Sequence, residues 1–302
     1  MTADRPFLGI LLMLGFCVLA PLGDSLAKVL GDTVSLGQLI LTRFGVQAVI
    51  LVPLVVVMGG TLRMSGRIAA LTALRTVLHM VGIGAMFTSL RFLPLADAIA
   101  IAFVMPFILL LLGKYVLGEG VGPHRLIACV IGFAGTLLVV QPNFAQVGAP
   151  ALLPLLVAVV FALFMLVTRQ IAKEIDPITL QANSGLMALG ILLPILAVFA
   201  QVPALSLALP VGNEWSLLTL LGLLGTLAHL LMTWSLRFAP SATLAPMQYL
   251  EIPIATVIGW LVFRDLPNGL AALGIAVTIA AGLYVILREQ RLSRLPAPPA
   301  AE

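Results

Sequence analysis

Residues Ser89-Leu90-Arg91-Phe92-Leu93-Pro94 return as Ser235-Leu236-Arg237-Phe238-Ala239-Pro240, five identities in six positions and 146 residues further along the chain. The same offset sets Gly118-Glu119 against Arg264-Asp265, and Pro106 meets Pro253 after a slip of one residue. The chain has 302 residues, so this offset is close to half its length and describes a duplicated unit. Chance likeness between two Leu- and Ala-rich stretches is the weaker account, because the match continues into the acidic residues downstream.

The composition names the solvent around the two copies. Hydrophobic residues make up 61% of the chain and charged ones 9%, with a mean hydropathy of +1.18. A soluble domain is roughly 45–50% apolar and about 25% charged. Too few polar side chains remain to cover a surface facing water. That excludes a soluble enzyme, a disordered chain and a nucleic-acid-binding domain. In lipid, a helix needs about 20 mostly apolar residues to cross. Such runs fall at 7–29, 36–58, 69–91, 95–117 and 124–140, then at 151–172, 178–199, 215–237, 242–263 and 268–288. The predicted fold is an all-α integral membrane protein with ten transmembrane helices in two five-helix repeats, residues 7–140 and 151–288, followed by a disordered cytoplasmic tail at 289–302. Five crossings are odd, so the second copy enters the membrane inverted.

Orientation follows from the cations. With the N-terminus inside, twelve of the sixteen Lys and Arg residues, from Arg5 to Arg294, fall at the cytoplasmic side. Lys28, Arg91 and Arg264 fall outside and Arg43 lies within the second span. This bias predicts two cytoplasmic termini in a multi-pass inner-membrane protein. The first apolar run lacks a convincing cleavage site and reads as an uncleaved span. Cys17 and Cys129 stand alone, and CxxC, HExxH and P-loop patterns are absent. No catalytic residue, metal or cofactor is therefore assigned.

Inverted repeats place a solute site near the bilayer midplane, between the halves, and a matched helix interruption in each half points to it. Pro106 and Pro253 are such a pair, as hinges or simple kinks in helices four and nine. Ionisable side chains in spans are costly and usually face the bundle interior. Glu251, two residues before Pro253 and beside Gln248 and Tyr249, is the best placed; it would carry a proton, or pair with a cationic substrate. Asp24 and Lys28 share a helix face at i, i+4 and could close the outer side as a pair. Arg43 makes a polar stripe with Gln47 and could partner Asp24 or Asp97. His79 lies one turn beyond Arg75, which reads as snorkelling to the interface. Trp234 and Tyr249 could stack on a planar ring, and Asn183 offers a neutral hydrogen bond. Each also has a bland reading as packing or capping, Asp97 above all as an N-cap.

Together these features resemble the drug/metabolite transporter superfamily, EamA type. The likeness is carried by Met105-Pro106, Leu117-Gly118-Glu119 and Gly132-Phe133-Ala134-Gly135 in the first copy. In the second it is carried by Ile252-Pro253, Phe263-Arg264-Asp265 and Ala281-Gly282. The resemblance implies ten helices and secondary transport of a small organic molecule. Within the family, Asp24 to Lys28 and Ala96-Asp97-Ala98-Ile99-Ala100 are similar to riboflavin and related vitamin carriers, which implies uptake of such a vitamin, with proton coupling open. The alternative is an exporter of amino acids or other metabolites. An intramembrane enzyme lacks a catalytic pair, and an inverted repeat favours alternating access over a channel. Expected partners are the solute and membrane lipid; the sequence sets no oligomeric state.

Overall fold

A computed structural model describes residues 5–140, 148–264 and 269–293; the break at 141–143, Asp265, the tail beyond Ser293 and the Asp97 side chain lie outside the described residues. Twelve α-helices follow one another among them. They are α1 (Pro6–Leu30), α2 (Leu36–Val57), α3 (Gly66–Ser89), α4 (Leu95–Ala102), α5 (Met105–Leu117), α6 (Pro123–Val140), α7 (Leu152–Ile171), α8 (Pro177–Val198), α9 (Glu214–Phe238), α10 (Ser241–Gln248), α11 (Glu251–Phe263) and α12 (Gly269–Ser293). Eight stretches are long and apolar enough to cross a membrane, with α4–α5 and α10–α11 each counting as one. The shorter apolar stretches Pro123–Gly135 in α6 and Ala272–Val285 in α12 bring the crossings to ten.

Two expectations need correction. Helices four and nine are each one span but not one continuous helix kinked at proline. Each is two helices parted by two residues, Phe103-Val104 and Tyr249-Leu250. Pro106 and Pro253 then fall in the first turns of α5 and α11. A missing N–H costs nothing there, since first-turn donors have no intrahelical acceptor. The tail also starts later than predicted: α12 stays helical to Ser293, with Arg291 in its last turn, where a cation suits the helix dipole.

Hydrogen bonds show that the halves are inverted. The Arg5 amide donates to Phe238 O at 2.7 Å, and Ser235 Oγ donates to Gly9 O at 2.7 Å, so α1 begins beside the end of α9. Lys28 Nζ donates to Leu90 O at 3.2 Å and Leu93 O at 2.6 Å, so α1 ends beside the end of α3. At about 1.5 Å per residue, α1 holds these points some 35 Å apart. The two repeated hexapeptides therefore sit on opposite faces, here called the Lys28 face and the Arg5 face.

Equivalent bonds recur on the two faces. Arg91 donates to Val34 O at 2.9 Å, and Arg237 donates to Ile175 O at 3.2 Å. Ser35 caps α2 by accepting from Gln38 N, and Asp176 caps α8 by accepting from Ile178 N and Thr179 N. Either cap is worth roughly 1 kcal/mol. Helix pairing follows the same exchange: α1 packs on α9 as α7 packs on α3, while α2 meets α8 and α6 meets α12.

Small residues set the closest approaches. A Cβ on Gly135 of α6 would come within 2.9 Å of Gly274 O and 2.6 Å of Thr278 Oγ1 on α12. Backbones this close are the usual means of helix association in lipid. Gly135→Leu is expected to cut the yield of monodisperse, detergent-extracted protein severalfold by size-exclusion chromatography. Gly190→Leu, which meets open space, should leave it unchanged. The outer surface is apolar, with Val49, Val57, Leu74, Leu193 and Leu283 exposed, as lipid contact requires.

Candidate functional site

Both halves contribute to a cavity of about 90 Å³. Its ionisable lining is Asp24 from α1, Arg43 from α2, His229 from α9 and Glu251 from α11. Phe16, Phe87, Phe103 and Phe161 supply aromatic walls. On α1, α3 and α7 the lining residues lie from mid-helix towards the Lys28 face, so the cavity leans that way. Ligand pockets start at roughly 300 Å³, so the cavity in this conformation is smaller than a small-molecule site.

The break in α10–α11 places Glu251 at the first position of α11. Unpaired amides of a first turn favour a carboxylate there. Glu251 is buried, Asp24 is half-buried, and neither carboxylate makes a hydrogen bond or ion pair among the described residues. Two carboxylates at a cavity wall without donors are costly for the fold.

The opposite wall is cationic. Arg43 Nη1 donates to Gln47 Oε1 at 3.0 Å, and Nη2 donates to Gly225 O at 2.6 Å and lies 2.8 Å from His229 Nδ1. His229 Nδ1 also lies 3.0 Å from Gly225 O, so the ring tautomer sets whether it accepts from the guanidinium or donates to the carbonyl. His229 Nε2 has no partner among the described residues. The room for Arg43 comes from Gly225, where any Cβ would overlap the guanidinium. Arg43 and Asp24 interact electrostatically without a hydrogen bond.

Beneath this wall, towards the Arg5 face, lies a second buried cation. Arg75 donates to Thr168 Oγ1 at 2.8 Å, Ser184 Oγ at 2.6 Å and Thr233 Oγ1 at 3.4 Å, and stacks 4.6 Å over Phe164. It is fully buried, so the expected snorkelling does not occur. Three hydroxyls from three helices hold it in place of water. His79 lies between the two cations, its ring 4.2 Å from that of His229, with both nitrogens unpartnered.

The other predicted residues lie elsewhere. Asp24 and Lys28 do not pair: Asp24 faces the cavity, and Lys28 reaches the Leu90 and Leu93 carbonyls. Tyr249 is buried against Phe103, with ring centroids 5.6 Å apart, and under Gly132. Neither it nor Gln248 lines the cavity. Trp234 packs on the Leu51, Val55, Ala182 and Leu230 cluster and does not line the cavity. Asn183 spends its amide on Thr179 O at 3.0 Å. The α4 backbone carries Asp97, whose side chain lies outside the described residues. Sequence reasoning did not find the Thr168–Ser184–Thr233 cradle or the aromatic walls, since single hydroxyls and Phe residues in apolar helices carry no motif. Nor does a lone His229 in an apolar helix signal its contact with Arg43.

A family model for EamA-like transporters matches residues 7–141 and 149–288. The chain belongs to the EamA-like transporter family. Among EamA relatives, a riboflavin transporter of Rhizobium johnstonii is 33% identical over 223 residues, covering 74% of this chain and 72% of the relative. A riboflavin transporter of Brucella anthropi is 28% identical, covering 74% and 78%. An S-adenosylmethionine uptake transporter of Rickettsia bellii is 25% identical over 269 residues, covering 89% of each. A crystal structure of a protein 18% identical in sequence superposes with a TM-score of 0.73 over 95% of this chain and 98% of the other, which extends the likeness to the fold.

Proposed function

We propose that this EamA-family protein takes up a small organic metabolite across the inner membrane by alternating access, and that a vitamin such as riboflavin is its substrate. The observation that carries this is the cavity between inverted halves, with aromatic walls, two bare carboxylates on one side and an arginine–histidine pair on the other. A planar ring suits Phe16, Phe87, Phe103 and Phe161. A polyhydroxylated chain can donate to Asp24 and Glu251 while ring carbonyls accept from Arg43. Two relatives named riboflavin transporters support the same solute. The Arg5 face is taken as cytoplasmic, on the cation bias, with both termini there. An alkaline phosphatase fused to either end should be inactive, and a cytoplasmic reporter at the same place active; opposite results at the two ends would give an odd number of crossings and end the paired-repeat picture.

A second substrate is favoured by a specific feature. Asp24 and Glu251 make no ion pair among the described residues, and S-adenosylmethionine carries a sulfonium as well as a flat ring. The relatives named for its uptake cover more of the chain than the riboflavin transporters do. Uptake of radiolabelled riboflavin and of S-adenosylmethionine, in cells lacking their own carriers, decides between them. Proton coupling through Glu251 is expected to appear as faster uptake under an inward proton gradient, and its absence in vesicles points to a facilitated route.

A further inference from the structure

At the Arg5 face, a carboxylate from the first half is buried among groups of the second. Glu119 follows α5, just past Gly118, whose left-handed conformation (φ 65°) ends that helix. Its Oε1 lies 3.2 Å from Arg169 Nε on α7 and accepts from the Ser241 amide at 3.2 Å. Its Oε2 accepts from Ser241 Oγ at 2.5 Å and from the Ala242 amide at 3.0 Å. One carboxylate therefore holds a cation and also caps the first turn of α10. Arg169 further donates to Leu236 O at 2.6 Å. Gly113 makes the space: a Cβ there would stand 2.9 Å from both Glu119 Oε2 and Ser241 Oγ. Both charged side chains are only 11% exposed.

The position matters more than the bond count. The central cavity leans towards the Lys28 face, and this cluster lies at the opposite ends of α5, α7, α9 and α10. The second half holds its own counterpart of the Lys28 contact. Lys28, in the last turns of α1, grips the Leu90 carbonyl; Arg169, in the last turn of α7, grips the Leu236 carbonyl. Leu236 follows Leu90 by the same 146 residues as the repeat itself. The two cations are therefore equivalent fasteners at opposite ends of the route.

We propose that Glu119 and Arg169 form the latch that closes the cytoplasmic end of the path between the halves, and that it must open for solute to leave inward. This rests on the transporter reading and on taking the Arg5 face as cytoplasmic. Rocking one half against the other separates α5 from α7 and α10, and Glu119 is the group that ties them. A charge-neutral substitution weakens the closed state and raises the population of the inward-open one.

The test uses the full chain with Cys17 and Cys129 replaced by serine and Thr243→Cys as a reporter. Thr243 is wholly buried one residue beyond Ala242, and its hydroxyl has no partner. A membrane-impermeant maleimide is applied to inside-out and right-side-out vesicles. Glu119→Gln is expected to raise the labelling rate from the cytoplasmic side about tenfold, a shift of about 1.4 kcal/mol in the opening equilibrium. Arg169→Met should do the same, which keeps the test alive if one variant is poorly made. Unchanged labelling in both, or a rise from the external side, overturns the latch. No solute is needed for this readout. Increased labelling without flux of any metabolite would leave the latch standing and refute the transport reading, whereas uptake with unchanged labelling would refute the latch alone.

Discussion

Glu251→Gln is expected to lower the initial rate of uptake at least tenfold, with as much protein in the membrane as the parent. The two halves of this expectation have one cause. The Glu251 carboxylate is buried at the cavity wall with no hydrogen bond or ion pair among the described residues, so it contributes no bond there that holds the helices together. A buried charge without a partner destabilises the fold, and an amide of the same shape removes that cost. The thermal midpoint of Glu251→Gln should therefore match or exceed that of the parent while uptake falls. A tenfold loss corresponds to about 1.4 kcal/mol of interaction with the solute or the coupling proton. Asp24→Asn on α1, which faces the same cavity, should lower uptake likewise but without the gain in stability, because Asp24 is the charge that interacts with the buried Arg43. Normal uptake by Glu251→Gln at every pH would remove the residue from the mechanism.

Gly225→Ala is expected to abolish uptake and to lower stability together. Arg43 passes so close to the α9 backbone at this position that one methyl group overlaps the guanidinium. Either α9 moves away from α2, or Arg43 leaves Gly225 O, Gln47 and His229. Forcing an extra methyl into a packed interior costs roughly 1–3 kcal/mol. Loss of hydrogen bonds from a buried cation adds about 1.5–3 kcal/mol each. Gly259→Ala in α11 is the matched control, because a Cβ there meets open space. Alanine in a helix gains up to about 1 kcal/mol over glycine, so that variant should be no less stable than the parent. A Gly225→Ala protein that extracts, melts and transports as the parent does would show that Arg43 is not confined as the geometry implies.

The legible parts of the sequence were those that depend on counting. Ten apolar runs and an offset of 146 residues led to a duplicated five-span unit because lipid demands length and apolarity of every crossing, and such demands are local. Glu251, Asp24 and Arg43 were legible for a related reason: a charge in a span is expensive enough to stand out from any apolar background. Tyr249, Gln248, Trp234 and Asn183 carried less information. Their polar atoms cost little to bury, so spacing along a helix does not tell whether they face the cavity or a neighbouring helix. Arg75 read as an interfacial cation because its depth was judged along α3 alone, while the hydroxyls that accept from it come from α7, α8 and α9.

The sequence by itself determined the solvent, the number of crossings and the inverted duplication, since each follows from the composition of short segments. Only the tertiary structure decided which charges meet. Asp24 turned from Lys28 to the cavity, Arg43 found a backbone position where a glycine admits it, and Glu119 crossed from one half to cap a helix of the other. Those choices depend on side-chain direction and distance between helices far apart in the chain, which no local pattern encodes.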